Sequence, residues 1–123
     1  MLFYNENRKK TKTIIVEEPE LNLFPTAQNS LVQYLVEKST AFNNQILLTT
    51  HSPYILASVN NLIYGYKVGQ TSKEDVDQIL PQKYWLNPDE VSAYRLLSDG
   101  TSKDIIDKDL REIIVEELNA RYT

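Results

Sequence analysis

Thr13-Ile14-Ile15-Val16-Glu17-Glu18-Pro19-Glu20 is an apolar, β-branched run that stops on carboxylates and a proline. The pattern recurs downstream as Gln45-Ile46-Leu47-Leu48-Thr49, followed by Thr50-His51-Ser52-Pro53, which holds the single histidine. Short continuous apolar runs of this kind suit strands covered on both faces, as in a parallel sheet. Between them Phe24-Pro25-Thr26 opens a helix, since proline is tolerated in a first turn and Ala27, Leu31, Tyr34, Leu35 and Lys38 recur at helical spacing to about Ser39. Asn43-Asn44 marks the turn into the second strand. Strand, helix and strand in this order predict a right-handed parallel crossover, and the fold class is α/β.

Composition sets the outer limits. With 123 residues, 41% of them hydrophobic, the chain can bury one core but is too short for two ordinary domains, so 1–123 reads as one unit. The formal charge of -4 does not indicate a general grip on nucleic acid, although the basic run Arg8, Lys9, Lys10 and Lys12 could make a local contact. Zero cysteines exclude a disulfide framework and cysteine-ligated zinc, and fit a cytoplasmic setting. The chain turns polar too soon after Met1 for a signal peptide, and no apolar run is long enough to span a membrane.

Beyond the crossover the pattern is less regular. Ser52-Pro53 predicts a short helix through about Ser58, Leu62 to Val68 a third strand interrupted by Gly65, and Lys67 to Glu74 a loop. Residues 13–68 would form the core and 69–123 an extension. Within that extension, Tyr84 to Ser98 suggests short strands and Asp99-Gly100 a turn. Leu110, Ile113, Ile114 and Leu118 share a helical stripe, with Asp109 and Glu112 spaced as a capping pair, so a terminal amphipathic helix is expected.

In open α/β sheets ligands gather beyond the carboxyl ends of the strands, where Glu17, Glu18 and His51 all fall. Adjacent carboxylates on an extended strand point to opposite sides, so one can face magnesium while the other orients or deprotonates an attacking water. His51 stands at an expected helix start, where backbone amides favour anions, and could contact a terminal phosphate or hold the water. A carboxylate pair alone is more often a solvated strand end, and a lone histidine more often a structural loop residue. Their placement on neighbouring strand ends is what favours chemistry.

The combination of Ile14-Ile15-Val16-Glu17-Glu18-Pro19-Glu20-Leu21-Asn22-Leu23-Phe24-Pro25, Gln28 and Thr49-Thr50-His51-Ser52-Pro53 resembles the C-terminal half of an ABC-type ATPase core. It is most similar to the bacterial AAA-like ATPases related to SMC proteins and to the overcoming-lysogenisation-defect (OLD) nucleases. The resemblance implies a partial P-loop NTPase-like domain with a strand-and-helix extension. It places Glu17 at the Walker B magnesium position, where aspartate is usual, Glu18 at the catalytic glutamate and His51 at the switch histidine. Glu20 and Asn22 would lie in the D-loop region facing a nucleotide-sandwich partner, with Ser52 beside the switch. The implied cofactors are Mg2+ and ATP.

A phosphate loop of the form Gly-x-x-x-x-Gly-Lys-Ser/Thr does not occur among Gly65, Gly69 and Gly100. The chain therefore reads as the hydrolytic half of an ATPase, inactive alone, whose expected partner is an N-terminal half supplying Walker A and the signature segment, or a nucleotide-sandwich homodimer mate. Two other readings compete with it. One is a non-catalytic interaction module or remnant using an exposed sheet edge or the terminal helix. The other is a metal-dependent nuclease built on Glu17, Glu18, Asp99 and Asp107.

Overall fold

The structure, a computed structural model, describes residues 12–118. The basic residues Arg8, Lys9 and Lys10 lie outside the described part. Strands β1 (Thr13–Glu17) and β2 (Gln45–Thr49) pair in parallel, in a register that runs from Thr13 opposite Gln45 to Glu17 opposite Thr49. The crossover helix α1 (Pro25–Phe42) begins with proline in its first turn, as expected, but runs a turn beyond Ser39. It stops at Asn43, whose left-handed backbone (φ 52°) is one that asparagine tolerates. The Asn44 side chain then accepts the Lys12 amide (3.2 Å), tying the helix exit to the strand entry.

Covering on both faces is not what the described residues provide. Ile14, Val16, Ile46 and Leu48 are half-buried on one face, whereas Ile15 and Leu47 on the other are 63% and 55% exposed. An unbroken apolar run gives every strand position the same hydrophobicity, so it cannot say which face has a helical layer; α1 and the next helix supply one. Their core consists of Val32, Val36, Ile55 and Leu62, with Leu48, Val59, Leu80, Tyr84 and Leu86 packed around it.

That next helix corrects two expectations. α2 spans Pro53–Gly69 without interruption, so neither a stop at Ser58 nor a strand over Leu62 to Val68 is present. Ile55, Leu62 and Ile63 are essentially fully buried, while Asn61 and Tyr64, three residues apart, are exposed, which is helical periodicity. A short apolar run can be read either way, and an interior glycine such as Gly65 disfavours strand and helix alike. Gly65 and Gly69 form a notch, one turn apart, that receives the Trp85 indole. The ring is fixed there by a 2.8 Å bond from its Nε1 to the Leu80 carbonyl. The loop expected over Lys67 to Glu74 shrinks to a turn before α3 (Lys73–Ile79).

The extension is built from short pieces. Single 3-10 turns at Gln82–Tyr84 and Pro88–Glu90 precede β3 (Tyr94–Leu96), so only the last part of the Tyr84 to Ser98 region is strand. β3 pairs antiparallel with β4 (Ser102–Asp104) around the expected Asp99-Gly100 turn, where Gly100 has φ 89°. β5 (Ile106–Asp107) pairs with β6 (Glu112–Ile113). The terminal amphipathic helix over Leu110 to Leu118 is therefore replaced by β6 and a 3-10 turn, Val115–Leu118.

Asp107 accepts the backbone amides of Asp109 and Leu110 through its own carboxylate (2.9 Å each), as a helix cap would, but Arg111 takes a left-handed φ of 58°, which ends the helical turn there. The segment is then held by α2. Asn60 bonds the Ile113 backbone at both its amide and its carbonyl (2.8 Å each), and Lys67 donates to the Leu110 carbonyl. Among the described residues no helix is long and apolar enough to cross a membrane.

Candidate functional site

The parallel register puts the carboxyl ends of β1 and β2 side by side, so the two polar loops that follow must meet. Glu18 is where β1 ends: its φ of 43° lies in the left-handed region that non-glycine residues seldom adopt. Its amide is held by Thr49, through the carbonyl at 2.8 Å and the hydroxyl at 3.2 Å. That twist ends the strand alternation and brings the Glu18 carboxylate 2.5 Å from His51 Nδ1.

Glu20 closes the same loop from the other side. It accepts the Thr50 hydroxyl at 2.8 Å on one oxygen and the His51 amide at 3.0 Å on the other. Burial pushes its pKa up, but the bonds from His51 and Thr50, its own amide and the nearby imidazole together hold the carboxyl below its ordinary value. Its carboxylate charge is favoured by the site.

Beneath this exposed layer lies a buried one. Ser52 caps α2, accepting the amides of Tyr54 and Ile55 on its hydroxyl oxygen (3.2 and 3.3 Å). Ser52 donates in turn to Gln28 Oε1 at 2.6 Å, and Gln28 Nε2 donates to the Leu23 carbonyl at 3.1 Å. Gln28 and Ser52 are each only 6% exposed.

The expected site residues thus divide. Glu18, Glu20, His51 and Ser52 are brought into one connected network. Glu17 is exposed at the end of β1, level with Thr49, and Asn22 is exposed in the following turn with φ 65°; neither takes part in that network. The nuclease set does not assemble, because Asp99 is engaged with Thr101 in the β3–β4 turn and Asp107 with Asp109 and Leu110. Gln28 and Thr50, which stand in the sequence motifs with no assigned role, also belong to the site. A glutamine at the head of the stripe Gln28, Val32, Leu35 and Val36 is the signal for the former: an amide facing a core must find partners.

One atom each from Glu18, Glu20 and His51 lie within 4.8 Å of one another, the one such group among the described residues. Two carboxylates and an imidazole could hold a divalent transition ion. The hydrogen bonds already made by Glu20 and the close Glu18 to His51 contact account for the grouping without one. Glu17 instead offers oxygen alone on an open strand end, the donor type that magnesium takes directly or through water.

The acid and imidazole cluster lies at the carboxyl edge of a parallel strand pair, where ligands gather in open α/β proteins, and residues 1–56 match the family model described as an AAA ATPase domain. That stretch, less than half of the chain, holds Glu18, Glu20 and His51. Over 52 residues the chain is 44% identical to the OLD nuclease of Thermus scotoductus (strain ATCC 700910 / SA-01), a stretch that covers 42% of this chain and 10% of that relative. The chain thus matches about a tenth of the curated relative's length. No solved structure matches the chain.

Proposed function

We propose that this chain supplies the Walker B to switch-histidine half of an ABC-like ATP-hydrolysing core. The observation that carries the reading is the 2.5 Å contact between Glu18 and His51 across the ends of two parallel strands. Glu18 is the group that orients and accepts a proton from the attacking water, and His51 holds Glu18 in place and faces the terminal phosphate. Glu17 would hold Mg2+, whose chemistry there is to neutralise charge on the phosphate oxygens. Glu20 keeps the His51 backbone in position while presenting the turn that contains Asn22 to a nucleotide-sandwich partner.

The 123 residues hold no Gly-x-x-x-x-Gly-Lys-Ser/Thr loop, so the amides and lysine that cradle ATP come from outside this sequence. The open sheet face supports the same view. Ile15 and Leu47 side by side form an apolar strip of the kind that a complementary N-terminal half would cover. Cytoplasmic location follows from an ATP-driven role. The alternative reading, a non-catalytic interaction module, retains the same strip but has no use for the Glu18 to His51 pair.

The test is complementation. Mixing the chain with a Walker A-bearing N-terminal half should produce ATP turnover; Glu18→Gln should reduce it by about a hundredfold or more while nucleotide binding persists, and His51→Ala should also slow it. Full turnover by Glu18→Gln would remove Glu18 from its role. Absence of any turnover, together with stable association of the two halves, would favour the interaction module.

A further inference from the structure

The buried layer under the site has a consequence for how the site is held together. We infer that Gln28 is a positioning residue, locking the loop that carries Glu20 to the loop that carries His51. Its importance for hydrolysis rests on the reading of Glu18 and His51 given above.

Hydrogen-bond capacity fixes the direction of every link. Ser52 has one proton and two lone pairs, and the amides of Tyr54 and Ile55 take the lone pairs, so its proton goes to Gln28. The Leu23 carbonyl can only accept, so the amide of Gln28 must turn its nitrogen there and its oxygen to Ser52. One side chain, with a donor and an acceptor, satisfies both loops in a single orientation. Leu23 lies three residues after Glu20, and Ser52 is next to His51.

Glu20 makes a second tie between the same loops, but an outer one. His51 is exposed and Glu20 is half-exposed, so water competes for the bonds between them. Gln28 and Ser52 are buried, and the 2.6 Å bond between them has no such competitor. The buried tie sets the frame within which the outer one aligns the Glu18 to His51 contact.

The side chains closest to glutamine in length and shape fail one or both demands at that depth. A near-isosteric methionine leaves the Ser52 proton and the Leu23 carbonyl without partners. A glutamate keeps the acceptor toward Ser52 but sets a carboxylate oxygen against the Leu23 carbonyl. Either change loosens the loops while leaving the apolar stripe of Val32, Leu35 and Val36 in place.

Amide hydrogen exchange on the 15N-labelled 123-residue chain tests this without nucleotide, so its failure is separate from failure of the ATPase reading. In Gln28→Met, exchange at the His51 amide should rise about fivefold relative to the core amides of Val36 and Leu62, because one buried hydrogen-bond link between the loops is gone. Ser52→Ala should give the same local rise and Ser52→Thr, which keeps the hydroxyl, should restore exchange to that of the parent chain. Acceleration of all amides by one common factor, or no change at His51, would overturn the inference. Should Gln28→Met not fold, the two Ser52 variants decide the matter by the same readout. In the complemented enzyme, Gln28→Met should lower kcat with KM for ATP nearly unchanged, whereas a fall in binding alone would count against positioning.

Discussion

Substituting alanine for each glycine of the Trp85 notch should give opposite outcomes. At Gly69 an added Cβ would stand 2.4 and 2.5 Å from Cη2 and Cζ3 of the indole, well inside contact distance. Trp85 is 7% exposed and pinned to the Leu80 carbonyl, so the ring can move only by breaking its hydrogen bond and shifting the core. Overpacking of that kind costs about 1–3 kcal/mol, and Gly69 is the last residue of α2, where alanine recovers little of its ~1 kcal/mol helix preference.

At Gly65 the nearest atom is Leu80 Cδ2 at 2.6 Å, a terminal methyl that can rotate, and the indole is at 3.4 Å. There the full helix preference of about 1 kcal/mol offsets the crowding. Gly69→Ala should lose about 2 kcal/mol and Gly65→Ala should stay within about 1 kcal/mol of the parent. For a domain of this size the former corresponds to a fall in Tm of about 8 °C. Urea unfolding followed by far-UV circular dichroism measures both, with the fluorescence of the only tryptophan as a second probe. A Gly69→Ala chain as stable as the parent, or a Gly65→Ala chain the weaker of the two, would refute the notch.

Two further outcomes follow from the hydrogen bonds. Asn60→Ala leaves both Ile113 backbone groups without their partner and should destabilise the β5–β6 segment by about 1–3 kcal/mol, read as faster amide exchange at Ile113 than at Leu62. The Glu20 carboxyl is depressed in the folded chain, so the stability it adds is present above its unfolded value and is lost as pH falls through the folded one. Below about pH 4.5, the urea midpoint of the parent should therefore fall faster than that of Glu20→Gln, and equal slopes would show that the Glu20 bonds contribute nothing.

The crossover was legible because its signals are local and redundant. β-branched residues, a proline in the first helical turn and an Asn-Asn stop each point the same way along Thr13 to Thr49. The region after Pro53 was not, because its signals conflict: Leu62 to Val68 is apolar enough for a strand, and the packing of Ile55 and Leu62 on α1, with Trp85 seated against Gly65 and Gly69, is a tertiary matter. The stripe from Leu110 to Leu118 is a similar case. Its periodicity is real, but Arg111 breaks the helical turn with a left-handed φ of 58°, and Asn60 of α2 takes the backbone of Ile113.

By itself the sequence determined the kind of edge this protein presents: apolar strands that end in Glu17, Glu18 and His51, and no phosphate loop to go with them. It could not say which of two adjacent carboxylates reaches the histidine, since alternation along a strand assigns them to opposite sides without saying which side is which. Tertiary structure decided that, through the left-handed backbone of Glu18 that Thr49 holds in place. It also gave Gln28 a role that local sequence pattern could not reveal, because a buried amide acquires its meaning only from the partners that folding brings to it.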